Sequence, residues 1–355
     1  MFNFFSNFFP LPQYLSMPAV GFDVGDDAVR FIELKKRGKD YEVGLFGEKL
    51  YPANFNLNSD FLKSGAARGF LSALRQSAKL NDVCVSLPDN RAYFFETEIS
   101  NVPVNFIYSA LEAKLEEFVP LSAKEVIFDY EIIPSKSKSS HSVSVSVVPR
   151  NVVLEFLETF QSAGFSPKRF ALAGQALAKA VVKKGDQETR IIVYMGKTAA
   201  TIYIARGNSV LFSLSLGEEN LERSFSYDDK SVSKISVRDK KEFSKEAFDR
   251  GFVNDQFLHS IKDELIKVNN YWLSRGKLNA ADESETTITS VVFCGPGATM
   301  NGFVDFFNHF LPFPATLAQV WVNVFDLDKV TPPIPFSQSL AYANAIGLAL
   351  LTYEE

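Results

Sequence analysis

A chain of 355 residues exceeds what one compact core usually holds, so two domains are expected. Its 37 Lys and Arg against 42 Asp and Glu give a net charge of −5, which argues against nucleic acid as a partner, since phosphate binding needs a concentrated basic surface. The 46% hydrophobic content argues against disorder over most of the length, and two cysteines cannot build a disulfide framework, so Cys84 and Cys294 are expected as inert core thiols of a cytoplasmic protein.

Residues 2–9 pattern as a short helix, with Phe2, Phe4, Phe5, Phe8 and Phe9 on one side and Asn3, Ser6 and Asn7 on the other. Pro10 and Pro12 stop it. This segment lacks the Lys and Arg that attract anionic lipid, so it is expected to pack on protein, on its own body or in a partner groove. The same lack leaves no basic n-region for a signal peptide. A β-meander follows at 20–24, 29–35 and 41–51, with Arg37-Gly38-Lys39-Asp40 as a hairpin turn. A helix is predicted at 60–79, then strands at 82–87 and 91–99 around the turn Pro88-Asp89-Asn90.

Next come a helix at 106–118 ending near Pro120, strands at 126–133 and 142–148, and a helix at 152–163 closed by Gly164. This block, taken as 101–164, is read as a small inserted subdomain. A short strand at 168–171 and a helix at 175–183 lead to the charged hinge 183–188. The second half has strands at 191–204 and 210–216, a charged stretch at 227–250 expected as solvated surface, and a long helix at 252–273. A polar loop at 283–287, a strand at 290–294, a helix at 302–309, a Pro-rich loop and a final helix complete the chain. No run reads as a transmembrane helix, because 341–351 is too short and carries Asn344 and Gly347.

Three glycine turns carry the chemistry. Gly21-Phe22-Asp23-Val24-Gly25 puts a carboxylate in a tight turn, where glycines let the backbone approach an oxyanion and Asp23 can hold its magnesium ion. A second strand–turn–strand places Gly196 and Lys197 in the same style, and a third turn contains Gly295 and Gly297. These six are the candidate nucleotide-binding residues; the plainer reading is turn-forming side chains and turn glycines. Gly196-Lys197-Thr198 is not a P-loop, because Ile191 stands where its first glycine belongs. His141, His259 and His309 are scattered without ligand spacing, and no Ser–His–Asp or Cys–His pattern occurs, so neither a metal site nor a nucleophile is expected.

Several of these pieces, in this order, resemble the PilM family, the actin-like cytoplasmic assembly proteins of type IV pili and related secretion platforms. They are Gly21, Asp23 and Gly25; the helix Ala110-Leu111-Glu112 to Pro120, then Phe128-Asp129-Tyr130; and Ala163-Gly164-Phe165-Ser166-Pro167 with Ala176-Leu177-Ala178-Lys179-Ala180. The long helix at 261–272 and Phe293-Cys294-Gly295-Pro296-Gly297-Ala298 follow, so the likeness runs over 18–353. It implies a two-domain actin/Hsp70-like α/β fold, a duplicated RNase H-like architecture with a small α/β subdomain inserted in the first half. The domains are then 19–187 and 188–355 after the aromatic segment 1–18, the final helix 340–353 packing back on the first domain.

The resemblance implies a non-catalytic scaffold, peripheral to the inner membrane. Its partners would be the N-terminal peptide of a PilN-like membrane protein, the pilus assembly ATPase or platform proteins, and further copies of itself. The peptide groove would lie by strand 126–133 and helix 106–118. Departures from the family pattern weaken the site for ATP with magnesium: Asp26 and Asp27 replace hydroxyls, Tyr194 replaces an Asp, and Pro296 lacks a donor N–H. The rivals are an active ATPase or sugar kinase of the same superfold, which needs an intact magnesium site, and an FtsA-like cell-division actin. The latter family ends in a basic amphipathic helix, whereas this chain ends Leu350-Leu351-Thr352-Tyr353-Glu354-Glu355.

Overall fold

The computed structural model describes residues 19–52, 65–100, 102–133, 140–197, 199–216, 255–278 and 287–354. The aromatic segment at 2–9, the start of the helix expected from residue 60, the charged stretch at 227–250 and most of the polar loop at 283–287 lie outside them.

Strands β1 (Val20–Val24), β2 (Ala28–Arg37) and β3 (Asp40–Leu50) form an antiparallel meander whose second turn carries Gly38 at φ 65°. Helix α1 (Gly65–Ala78) crosses over to β4 (Asp82–Leu87), which lies parallel to β1. Ala67, Leu71 and Leu74 of α1 are buried at helical spacing, and that stripe fixes the helix on the sheet. Strand β8 (Ser166–Leu172) adds in parallel on the far side of β4, giving the order β3-β2-β1-β4-β8.

The second half repeats this plan. Strands β9 (Thr189–Met195), β10 (Ala200–Arg206) and β11 (Ser209–Leu216) are again an antiparallel meander. Helix α5 (Asp255–Leu278) crosses to β12 (Val291–Cys294), parallel to β9, and β13 (Ala315–Leu317) closes the order β11-β10-β9-β12-β13. Between β12 and β13, α6 (Phe303–Phe310) buries Phe303, Phe306 and Phe307, the first and last against Phe293. Burial pushes the Cys84 thiol up to about 12 and the Cys294 thiol further, so both are inert core groups.

A third sheet, β5 (Tyr93–Ser100), β7 (Ser140–Pro149) and β6 (Val126–Ile133) in the order β5-β7-β6, packs one face on α2 (Ile107–Phe118). Ile107, Leu111 and Leu115 meet Ile99, Val143, Val145 and Val147 in a separate small core. This sheet takes in a strand ahead of residue 101. Helix α3 (Arg150–Ser162), counted with the inserted block on sequence, instead buries Val152, Phe156 and Phe160 in the first sheet's core, with Phe160 against Phe22. The third sheet also touches the second half. Glu96 of β5 accepts hydrogen bonds from Ser142 (2.9 Å) and Arg206 (3.3 Å), and Arg275 of α5 donates to its backbone carbonyl (2.9 Å).

Helices α4 (Ala173–Val181), α7 (Phe336–Ser339) and α8 (Ala343–Leu351) complete the fold. Helix α8 is buried along its whole length and packs on α4 and β1. The approach is close enough that a Cβ on Gly347 would overlap the Ala176 carbonyl. Among the described residues, no helix is long and apolar enough to cross a membrane.

Candidate functional site

The fold gathers the three glycine turns at one junction. In the β1–β2 turn Gly25 N–H donates to Ala28 (3.0 Å), and in the β9–β10 turn Gly196 N–H donates to Ala199 (2.9 Å). A Cβ on Gly196 would stand 2.5 Å from Asp26 Oδ2, so the two turns touch directly. The third turn is stacked on the second. Gly295, at φ 89°, donates to Leu340 (3.0 Å), and any side chain on it would strike the Met195 carbonyl. Gly297 faces the Gly196 carbonyl, while Lys197 is exposed beside the junction. Pro296 opens a short 3-10 helix.

The side chains around these turns satisfy one another. Asp27 was expected to face a phosphate; it grips Arg30 through both carboxylate oxygens (3.0 and 3.2 Å). Arg30, 2% exposed at its side chain, also donates to Glu48 (2.6 Å). Asp23 is 1% exposed, and its Oδ2 finds no hydrogen bond among the described residues. Burial raises its pKa to about 6, against the opposing pull of Arg30 and of hydrogen bonds from Ser86 and Asn344. Tyr194 reaches this cluster from the second half; burial and then the Asp23 charge push its phenol far up, so it stays neutral. Sequence reasoning missed Arg30, Glu48, Ser86 and Asn344. Only the Asp27–Arg30 spacing across a turn hinted at the pair.

Asp89 forms a second buried bridge between the halves. Its Oδ2 accepts from Tyr203 Oη of β10 (2.5 Å) and Gly174 N–H of α4 (2.7 Å), and burial raises its pKa to about 6. Among the described residues no group of three or more His, Cys, Asp or Glu could hold a metal ion. Magnesium at Asp23 would therefore need ligands from elsewhere.

These two carboxyls set a pH dependence. Each binds its proton more tightly folded than unfolded (about 6 against 3.8), so stability falls as pH rises through that window. Lowering the pH from 7.5 to 5.5 is expected to add about 1.5 kcal/mol. Calorimetric melting across that range measures it, with Asp23→Asn removing roughly half the gain. A melting temperature that falls over the same range would contradict the assignment.

A groove lies between two sheet edges. Strand β6 ends the third sheet and β8 ends the first, so each has a strand neighbour on one side only among the described residues. The space between them, about 140 Å³, is lined by Leu87, Ile127, Phe128, Val148, Val153, Phe170 and Leu172, with Asp129, Glu131 and Arg169 at its polar margin. Arg169 is fixed by a 2.7 Å hydrogen bond to the Leu351 carbonyl. Helix α2 does not line the groove; it reaches it only through Tyr108, stacked on Phe128 with centroids 4.5 Å apart. A larger cavity of about 590 Å³ opens beside the β2–β3 hairpin. Its Lys39, Lys183 and Lys184 are mixed with Asp40, Asp326 and Glu354, which selects no ligand class.

The family model of the type IV pilus assembly protein PilM matches residues 21–353. No curated protein matches the sequence. Among solved structures the chain is similar to the PilM–PilN type IV pilus biogenesis complex, at a TM-score of 0.66 and 17% identity, covering 96% of this chain and 100% of that one. That likeness establishes the two-domain actin-like α/β fold. Weaker likenesses are the ethanolamine utilization protein EutJ from Carboxydothermus hydrogenoformans (TM-score 0.45, 12% identity, 95% of this chain and 93% of that one) and the cytoplasmic domain of EpsL, an inner-membrane component of the Vibrio cholerae type II secretion system (0.38, 13%, 64% and 87%). With the family model spanning nearly the whole sequence, the chain belongs to the PilM family of actin-like type IV pilus assembly proteins.

Proposed function

We propose that this chain is a non-catalytic adaptor, which captures a short peptide from the cytoplasmic N-terminus of a PilN-like membrane protein in the β6–β8 groove. The observation that carries this reading is the pair of facing sheet edges. Edge groups of β6 and β8 other than Tyr130 N–H, Val126 C=O and Leu172 N–H, which Asp129, Arg150 and Gln175 already hold, can bond an added extended segment, and the apolar walls between the strands can receive its alternate side chains. A PilM relative of known structure was solved with PilN, which supports a partner of that kind. Held by such a partner, the chain would sit against the inner membrane and present its remaining surfaces to the assembly ATPase or platform.

Two further assignments belong to this reading. The chain divides into 19–187 and 188–355, with the third sheet as the partner-binding insert. Asp23, Gly25, Gly196, Lys197, Gly295 and Gly297 are the remains of a nucleotide site whose turns now bind one another. An ATPase or kinase of the same fold would need that junction open.

The test is capture on an immobilised N-terminal peptide from a PilN-like bitopic membrane protein of the same organism. Ile127→Glu, a half-exposed groove position, is expected to weaken capture at least tenfold, about 1.4 kcal/mol. Tyr271→Ser, exposed on α5, should leave it unchanged. Equal loss in both variants, or in neither, would remove the site from the groove.

A further inference from the structure

Resting on the reading of the β6–β8 groove as a peptide site, we propose that residues 1–18 of this same chain seat a phenylalanine ring in it and hold off the incoming peptide. The size of the groove comes first. A space of about 140 Å³ is the size that holds one benzene-sized ring, and this one has apolar walls on part of its lining, with Asp129, Glu131, Ser146, Arg169 and Gln175 on the rest. Ile127, Val148, Val153, Phe170 and Leu172 supply such walls. Residues 2–9 offer five phenylalanines for that place.

The second point is where the arm is attached. Ala171 and Leu351 line the groove, and both belong to a small buried cluster that also contains Ala19, Cys84, Ala176 and Leu348. Ala19, from which the arm departs, does not line the groove itself: it precedes Val20, which is level with Pro167 of β8 and two strands away from it, so the arm starts on the same sheet, short of the groove. Phe8 and Phe9 stand about ten residues upstream, and an extended chain of that length spans roughly 33 Å. Reach therefore sets no limit, and the short tether raises the local concentration of the arm at the groove above that of any free peptide.

The third point is chemical. The first charged side chain of the sequence is Asp23, so the arm has no side-chain charge with which to form an ion pair. It also lacks the Lys and Arg that would draw it to an anionic membrane surface. An uncharged aromatic segment gains most where apolar walls and strand edges coincide, and the groove, within the arm's reach, offers apolar walls between the edges of β6 and β8. Pro10 and Pro12 cannot donate to a strand edge, so the bonded stretch would lie ahead of them, among the phenylalanines.

In the test, Phe8 of the full chain is replaced by photoreactive p-benzoylphenylalanine and the cross-links are mapped by mass spectrometry. Cross-links within one molecule to residues 126–131, 146–153 or 169–172 are expected, and Ile127→Glu should reduce their yield at least fivefold. Cross-links elsewhere on the body, or between two copies at high dilution, would overturn the proposal, the latter by placing the arm on a second copy. In parallel, the full chain carrying Phe4→Ser, Phe5→Ser, Phe8→Ser and Phe9→Ser is expected to bind the PilN-like peptide at least tenfold more tightly than the parent. If the peptide binds both chains equally, the adaptor reading stands and the arm proposal falls. If the groove cross-link forms and saturating peptide does not suppress it, the arm's seat in the groove stands, while its competition with the peptide and the reading of the groove as the peptide site both fall.

Discussion

Gly347→Val is expected to lower the unfolding free energy by roughly 3 kcal/mol or more. Helices α8 and α4 meet at Gly347 with no room for a side chain, since a Cβ there would overlap the Ala176 carbonyl. A similar contact exists on the other side of α8, where Gly21 of β1 faces the Ala345 carbonyl. The final helix is thus clamped between a helix and a strand of the first half, and its neighbours are backbone that cannot rotate aside. Separating the helices would also disturb Ala19, Ala176 and Leu348, which share one buried cluster. Gly69→Ala is the matched control, because nothing lies within 4 Å of its added Cβ. Removing a glycine from the α1 interior should stabilise by about 0.5–1 kcal/mol. Denaturant melts of both variants measure the contrast. A Gly347→Val chain that melts like the parent would mean that α8 does not pack on α4.

Calorimetric titration with Mg-ATP is expected to give no saturable binding below about 1 mM. A phosphate can enter only if the β1–β2 and β9–β10 turns separate, because Asp26 already lies against Gly196. It would also meet the Asp26 carboxylate. Two unit charges 4 Å apart at an effective dielectric of 20 repel by about 4 kcal/mol, roughly a thousandfold in affinity. Arg30 offers no compensation, since Asp27 and Glu48 already hold its guanidinium. Asp26→Ser is therefore the substitution expected to raise affinity. Asp27→Ser should not raise it, and is expected to cost about 3 kcal/mol of stability by stripping a partner from a buried cation. A micromolar isotherm with the parent chain would refute the closed-junction account.

What could be read from the sequence was whatever local chemistry dictates. The glycine turns, the meander around Gly38 and the helical stripe of α1 each follow from neighbours a few residues apart, and each is present. The inserted block was harder. Residues 91–99 alternate like any edge strand, and nothing within them says which of two sheets they join. Helix α3 is amphipathic in either setting, and the position of its apolar stripe against Phe22 is a tertiary fact. The groove depends on β6 and β8, which are separated along the chain by β7 and α3, so no motif could announce it. Asp27 shows a further limit. A carboxylate beside a turn looks alike whether it faces a ligand or folds back on an arginine, and only the buried place of Arg30 decides between them.

Glu96 gives the third sheet a mechanical property. The insert's two chain connections, near residues 92 and 150, both run into the first half, and alone they would act as a two-strand hinge about which the block could swing. The bonds from Arg206 and Arg275 add a third support from the other half of the molecule. Swinging the block about its two connections would have to break these bonds. A pull on whatever occupies the groove is then shared between both halves, and the halves are strained together instead of the insert being peeled from one of them.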